Sequence, residues 1–360
     1  MKDAPLLNLV LAMALVIGGG WLLVIGRPVL LPIMLAVISV YILTSAVDWM
    51  RRFPLISALP NGVLRAVVLG LFALVLYAFS VVVASTVEEM TARAPAYQTN
   101  LNTLLGQIEE SFGLPPQSIL DEAVKATVGS IDVRAVVLAL LGSATTAGAT
   151  AFLIVIYSGF LLAEQARFPA KIAAAFPEAD RARAMLDTVV DVNRLIGEYL
   201  AVKTLVNVIL GAACLAIMVA LGTDFALFWA IIIGLANYIP YVGSWIGVVF
   251  PVVLSIAQTG SLLQTLILAA CLTAAQIAVG NVVEPRLIGK QLNLSPFVVI
   301  AALAIWSSLW GIPGAVLAVP LTSMLAIILA RFPQTRPISL LLADRVMPDT
   351  ARDPGSAPAG

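Results

Sequence analysis

Apolar runs of eighteen or more residues recur along the chain, separated by short clusters of charge. As a helix, such a run crosses a hydrocarbon core of about 30 Å. The runs are continuously apolar, not alternating, which excludes the strand pattern of a membrane barrel. Only a helix or a closed barrel pairs its own backbone in lipid. The pattern therefore predicts an all-α polytopic membrane protein. Full spans are expected at 5–25, 28–47, 63–87, 136–163, 199–221 and 262–283, with two interrupted runs at 225–257 and 296–331. The first run reads as a retained helix: it is long for a signal peptide and no small-residue cleavage site follows.

The polar stretches give orientation. Residues 88–135 carry seven acidic side chains (Glu88, Glu89, Glu109, Glu110, Asp121, Glu122, Asp132) against three basic ones (Arg93, Lys125, Arg134). The loop with Arg51 and Arg52 is basic. The positive-inside rule puts that loop and both termini in the cytoplasm and 88–135 outside. Within 88–135, Leu101, Leu104, Leu105, Ile108 and Phe112 recur at helical spacing, and Ile119, Leu120, Val124, Val128 and Ile131 repeat the pattern. Two amphipathic helices over the membrane domain are expected there, with a ligand-capturing lid as the alternative. A further amphipathic helix is expected before residue 199, on Met185, Val189, Val192, Ile196 and Tyr199. The resulting divisions are 1–87 (helices 1 to 3), 88–135 (extracytoplasmic), 136–198 (helix 4 and cytoplasmic helix), 199–335 (core with two broken segments) and 336–360 (disordered tail).

The interrupted runs hold the chemistry. One breaks at Asn237-Tyr238-Ile239-Pro240-Tyr241-Val242-Gly243, the other at Trp310-Gly311-Ile312-Pro313-Gly314. Each is either one kinked helix or a re-entrant hairpin. Charge favours hairpins, since these leave Arg286, Lys290, Arg331, Arg336 and Arg345 all cytoplasmic. The hairpins then form inverted repeats, one entering from outside and one from the cytoplasm. Inverted repeats with Gly/Pro-broken helices are a signature of secondary transporters, whose sites lie where the breaks meet. Broken helices also free main-chain groups that lipid cannot pair. Candidate binding residues are Asn207, Asn237, Pro240, Tyr241, Gly243, Gln276, Asn281, Glu284, Arg286, Gly311, Pro313 and Gly314. Any one amide reads more readily as glue between membrane helices; the set around two breaks points to a pathway.

Composition narrows the function. The chain is 61% hydrophobic and 11% charged, far below the roughly one quarter charged of soluble domains. Its mean hydropathy is +1.03. Zero net charge gives no argument for nucleic acid. Histidine is absent, and Cys214 and Cys271 lie inside apolar runs with no metal-ligand spacing. No enzyme activity and no cofactor is expected, and no nucleotide-binding loop is present.

Three stretches resemble the AI-2E (autoinducer-2 exporter-like) transporters: Asn281-Val282-Val283-Glu284-Pro285-Arg286-Leu287-Ile288-Gly289-Lys290 with Leu294-Ser295-Pro296, then Asn237 to Gly243, then Trp310 to Gly314 with Pro320. The resemblance covers roughly 5–335 and implies a bacterial inner-membrane exporter, homo-oligomeric and plausibly pentameric. It also implies export of autoinducer-2 in some relatives and sodium/proton antiport in others.

Two transport readings remain, with a scaffold subunit as a third. The first is export of a small polar solute held between uncharged hairpin tips by backbone groups, Asn237 and Asn281. The second is cation/proton antiport, with Glu284 titrating; its weakness is that pairing with Arg286, or capping, accounts for Glu284 equally well.

Overall fold

Long apolar sequence rich in Leu, Ala, Val and Ile has one low-energy form in lipid, the helix, and the described apolar runs adopt it. In a computed structural model, residues 5–54, 59–112, 133–165, 167–176, 178–288, 293–332 and 334–345 are described, and every regular element among them is helical. In order these are α1 (Pro5–Ile25), α2 (Arg27–Met50), α3 (Asn61–Phe112), α4 (Val133–Glu164), α5 (Phe168–Ala175), α6 (Ala179–Ala220), α7 (Ala226–Ala236), α8 (Val242–Thr259), α9 (Leu262–Ala278), a π turn (Val279–Val283), α10 (Glu284–Ile288), α11 (Pro296–Trp310), α12 (Ile312–Arg331) and α13 (Arg336–Leu342). Among the described residues six helices are long and apolar enough to cross a bilayer: α2, α3, α6, α8, α9 with its extension, and α12. The protein is an all-α polytopic membrane protein.

Two helices run further than their apolar stretches. α3 continues from its apolar part straight through Glu88 and Glu89 to Phe112, so the first expected amphipathic helix is its extension. Glu, Met, Ala and Arg are strong helix formers and carry it on. α6 likewise joins the amphipathic segment before residue 199 to the span that follows. The second expected amphipathic pattern, at 119–131, lies outside the described residues; the tail expected to be disordered from 336 instead begins with the helix α13 (Arg336–Leu342), and its part beyond 345 lies outside the described residues.

The chain divides into two compact units: Ala36–Ala163 with Ala201–Gly289, and Met1–Leu35 with Glu164–Leu200 and Lys290–Gly360. The first broken run falls in the former and the second in the latter.

In the first unit, α7 and α8 form a helical hairpin. Adding a Cβ to Gly243 would place it 2.5 Å from the Ala236 carbonyl oxygen. Residues seven apart in one straight helix are about 10 Å apart, so the chain has doubled back. The feet of the hairpin are tied together: the Asp224 amide donates to Gln258 Oε1 (2.8 Å), and Gln258 Nε2 donates to the Gly222 carbonyl (2.7 Å). The extension of α3 grips the same feet with one helical face. Arg93 pairs with Asp224 (2.5 Å), Tyr97 donates to Asp224 Oδ2 (2.8 Å), and Asn100 donates to the Gln258 carbonyl (2.6 Å). The core beneath packs Val206, Leu210, Cys214 and Met218 of α6 with Ile233 of α7 and Leu268 and Leu272 of α9.

In the second unit, α11 and α12 form the other hairpin. A Cβ on Gly314 would collide with the Trp306 carbonyl oxygen, and Trp306 Nε1 donates to Thr322 Oγ1 across sixteen residues of chain (3.1 Å). Buried Trp310 donates from its indole to the Leu23 carbonyl at the end of α1 (3.0 Å). At the start of α11 the Ser295 amide donates to the Leu342 carbonyl at the end of α13 (3.0 Å).

The breaks sit off-centre: α7 has 11 residues and α8 has 18, while α11 has 15 and α12 has 20. The two arms of each hairpin are therefore unequal, the returning helix being the longer each time.

Because the atom met by a Gly314 Cβ is main chain, no side chain can swing away to relieve it. Gly314→Ala is expected to destabilise the protein by about 1–3 kcal/mol, read as a lowered unfolding temperature in detergent. Gly70→Ala on α3, where a Cβ meets nothing within 4 Å, serves as the control and is expected to be neutral or slightly stabilising.

Candidate functional site

The first break reverses the chain in five residues and pairs its own backbone while doing so. The amides of Asn237, Tyr238 and Ile239 donate to Ile233, Leu235 and Ala236 (3.0, 3.3 and 2.9 Å); those of Val242 and Gly243 donate to Pro240 and Ile239 (2.7 and 3.0 Å). The Val242 bond closes a γ-turn around Tyr241, which sits at φ 65°, ψ −46°. That is a strained conformation for a residue with a side chain, and strain of this kind gathers at functional sites. These five N–H groups are thus already bonded, so the expectation that freed main-chain donors await a solute does not describe them. The second break needs a single residue, Gly311, at φ 68°, ψ −145°. Only glycine takes that region readily.

Side chains carry the polarity instead. Gly211 and Gly234 let α6 and α7 approach closely: a Cβ on either would sit 3.1–3.2 Å from the carbonyl of Ala230 or Asn207. This small-residue contact brings one turn of α6 beside the tip. There Asn237 Nδ2 donates to Asn207 Oδ1 (2.8 Å), and the hydroxyls of Thr204 and Tyr238 share a hydrogen bond (2.6 Å). One residue earlier on the same turn, the buried Lys203 ammonium pairs with Glu284 (2.5 Å).

Glu284 reaches α6 from beyond a π turn. Pro285 has no N–H, and its ring would strike the Asn281 carbonyl in a regular helix. The turn at Val279–Val283 widens, and the Glu284 amide bonds the Val279 carbonyl five residues back. Such π turns recur at functional sites.

The proposed residues therefore separate. Asn207 and Asn237 bond each other, and Gln276 packs over Gly247 of α8. Glu284 joins them through Lys203, not through Arg286, which is exposed. Asn281 is also exposed, as is Tyr241 at the tip. Pro240 and Gly243 shape the turn; Gly311, Pro313 and Gly314 shape the break of the other unit. Thr204 and Tyr238 complete the cluster without having been singled out from the sequence, although Lys203 and Asn207 share helical i, i+4 spacing. Among the described residues no group of three His, Cys, Asp or Glu side chains stands ready to hold a metal ion.

A polytopic helical protein with two hairpin-broken runs and a polar cluster beside one break has the build of a membrane transporter. The chain belongs to the AI-2E family transporters, whose family description matches residues 10–334. It is similar to AI-2 transport protein TqsA of Escherichia coli (strain K12), with 28% identity over 319 residues, 88% of this chain and 90% of that protein. YhhT of the same organism, whose name also refers to transport, is 27% identical over 296 residues, 82% of each chain. A protein of Borreliella burgdorferi is 34% identical over 200 residues, 54% of each.

Removing one member of a buried ion pair strands the other. Glu284→Gln is expected to destabilise the protein by about 3 kcal/mol, and the double change Lys203→Met with Glu284→Gln to recover most of it; thermal unfolding of the three proteins in detergent checks this.

Proposed function

We propose that the protein is a secondary transporter exporting a small polar solute, of the kind represented by autoinducer-2, across a bacterial inner membrane. The reading rests on one observation above the others: the amide pair Asn207–Asn237 stands at a helix break inside membrane-spanning sequence. Lipid offers such groups nothing, so they persist where a polar passenger or a partner helix meets them. The name of the similar TqsA protein supports the choice of solute. The membership of a transporter family supports a protein without catalysis.

In this reading both broken runs are re-entrant. The tied feet of the first hairpin and the Trp306–Thr322 bond between the arms of the second support that, and the charge around them supports opposite entry. At the first pair of feet Glu89 and Asp224 offset Arg93, while Arg331, Arg336 and Arg345 accompany the second hairpin. By the positive-inside rule the first opens outward and the second toward the cytoplasm, with both termini cytoplasmic. Homo-oligomeric assembly belongs to the reading as the family resemblance implies it.

Cation/proton antiport is the second reading, favoured by the Glu284 carboxylate at the end of α9's extension. Its pairing with buried Lys203 places a cation there already, so we rank it below solute export.

The test is solute counterflow in proteoliposomes over a panel that includes autoinducer-2, beside pH-driven cation flux. Counterflow is expected for the wild type and at least a tenfold loss for Asn237→Leu with unfolding temperature maintained. Undiminished counterflow by that variant sinks the site assignment. Cation flux that Glu284→Gln abolishes, but the stable Lys203→Met/Glu284→Gln protein also lacks, would favour antiport.

A further inference from the structure

The extension of α3 does more than the first hairpin needs to keep its feet together. Gln258 already ties them without it, taking the Asp224 amide on Oε1 and giving Nε2 to the Gly222 carbonyl. Were every contact to α3 removed, both bonds would remain. What α3 fixes is therefore the position of the hairpin as one body.

The hold is a set of side-chain tips on one stripe of α3. Arg93 reaches Asp224 Oδ1 (2.5 Å), Tyr97 donates to Asp224 Oδ2 (2.8 Å), and Asn100 Nδ2 donates to the Gln258 carbonyl (2.6 Å). The Arg93 side chain is 43% exposed, and an ion pair so open to water holds only weakly. Further along the surfaces are smooth. Gly260 caps α8 without a side chain, and its Cβ position lies 4.0 Å from the Asn100 Cβ. Contacts of this kind can part without unpacking a core.

Two features sit under the hold. Pro95 lies inside α3 between Arg93 and Tyr97. It has no N–H for the Thr91 carbonyl, so the helix is weakest at the turn that bears both prongs. Phe225, next to Asp224 at the head of α7, is held at φ 56°, ψ 30°, and the Arg93 guanidinium covers its ring at 5.5 Å. A bulky side chain stays in that region only where its surroundings impose it. A weak point in the arm and a strained joint in the hairpin thus meet at one carboxylate.

We propose that the α3 extension is a latch on the first hairpin: Asp224 is the catch, Pro95 the hinge, and the hairpin moves as a unit when Arg93 and Tyr97 let go. Release lets Phe225 leave its strained conformation, and closure restores it. Asp224 is then a positioning residue. The purpose of the latch rests on the transport reading, but its opening is measurable without transport.

Cβ positions 4.0 Å apart suit a disulfide, so Asn100→Cys with Gly260→Cys fastens the latch on oxidation. Autoinducer-2 counterflow by this protein in proteoliposomes is expected to fall about tenfold when oxidised and to return with dithiothreitol, while neither single variant responds. Hydrogen exchange of the full chain in detergent is measured beside it for Asp224→Ala. That change removes the acceptor of both prongs and keeps the main-chain bond to Gln258. Amides 93–104 are expected to exchange about threefold faster, and those of 226–259 to stay as they were.

Full counterflow by the oxidised pair makes α3 a fixed brace and overturns the proposal. So does a cysteine pair that will not oxidise, unchanged exchange in 93–104, or hairpin amides that quicken together with those of α3. If the wild type moves no autoinducer-2 while Asp224→Ala frees the α3 amides alone, the latch stands and the export reading falls.

Discussion

A main chain that turns back within apolar sequence must pair its own N–H and C=O groups, because apolar surroundings will not. The first break meets that demand with five turn hydrogen bonds in the space of seven residues. The cost falls on Tyr241, driven to positive φ. The second meets it with one glycine. Once these backbone groups are closed on themselves, discrimination of anything polar passes to side chains. Those side chains reach the tip only because Gly211 and Gly234 let α6 lie against α7. The polar cluster is therefore a consequence of close backbone packing; Gly243 and Gly314 serve the same close approach each within its own hairpin. Bulky residues at those two glycines act on folding first, so they cannot separate a transporter from a scaffold. Asn237, whose side chain is not needed for the turn, is the better place to look.

Much of this is legible in the sequence. Length and continuity of apolar runs give helices, and the Gly/Pro interruptions at 237–243 and 310–314 give the breaks, because those residues fail in a helix for local steric reasons. Asn207, Asn237 and Gln276 stand out for the same local reason: amides are rare in such runs. Pairing is not legible. Nothing local announces that Glu284 meets Lys203, eighty-one residues away, and the nearer Arg286 was the natural partner to expect. Nor does local pattern show where helices stop when polar residues follow apolar ones. The extension of α3 depends on Arg93, Tyr97 and Asn100 finding the feet of a hairpin more than a hundred residues later. Asn281 and Arg286 sit in the family motif, yet face outward; motif membership says a residue matters, without saying what it touches.

The π turn explains how one short motif serves two demands. Pro285 ends the regular ladder, and a wider turn absorbs the conflict without breaking the helix. That extra width also changes the direction of the residue that follows it. Glu284 is thereby aimed at α6, while Arg286, two positions on, is left at the surface. A buried lysine in such a place is tolerable only with its carboxylate, since an unpaired charge in a low-dielectric interior costs several kcal/mol. The pair is consequently a poor free proton carrier: neutralising Glu284 strands Lys203. It is a better neutral platform, one whose ammonium retains donors for a neighbour.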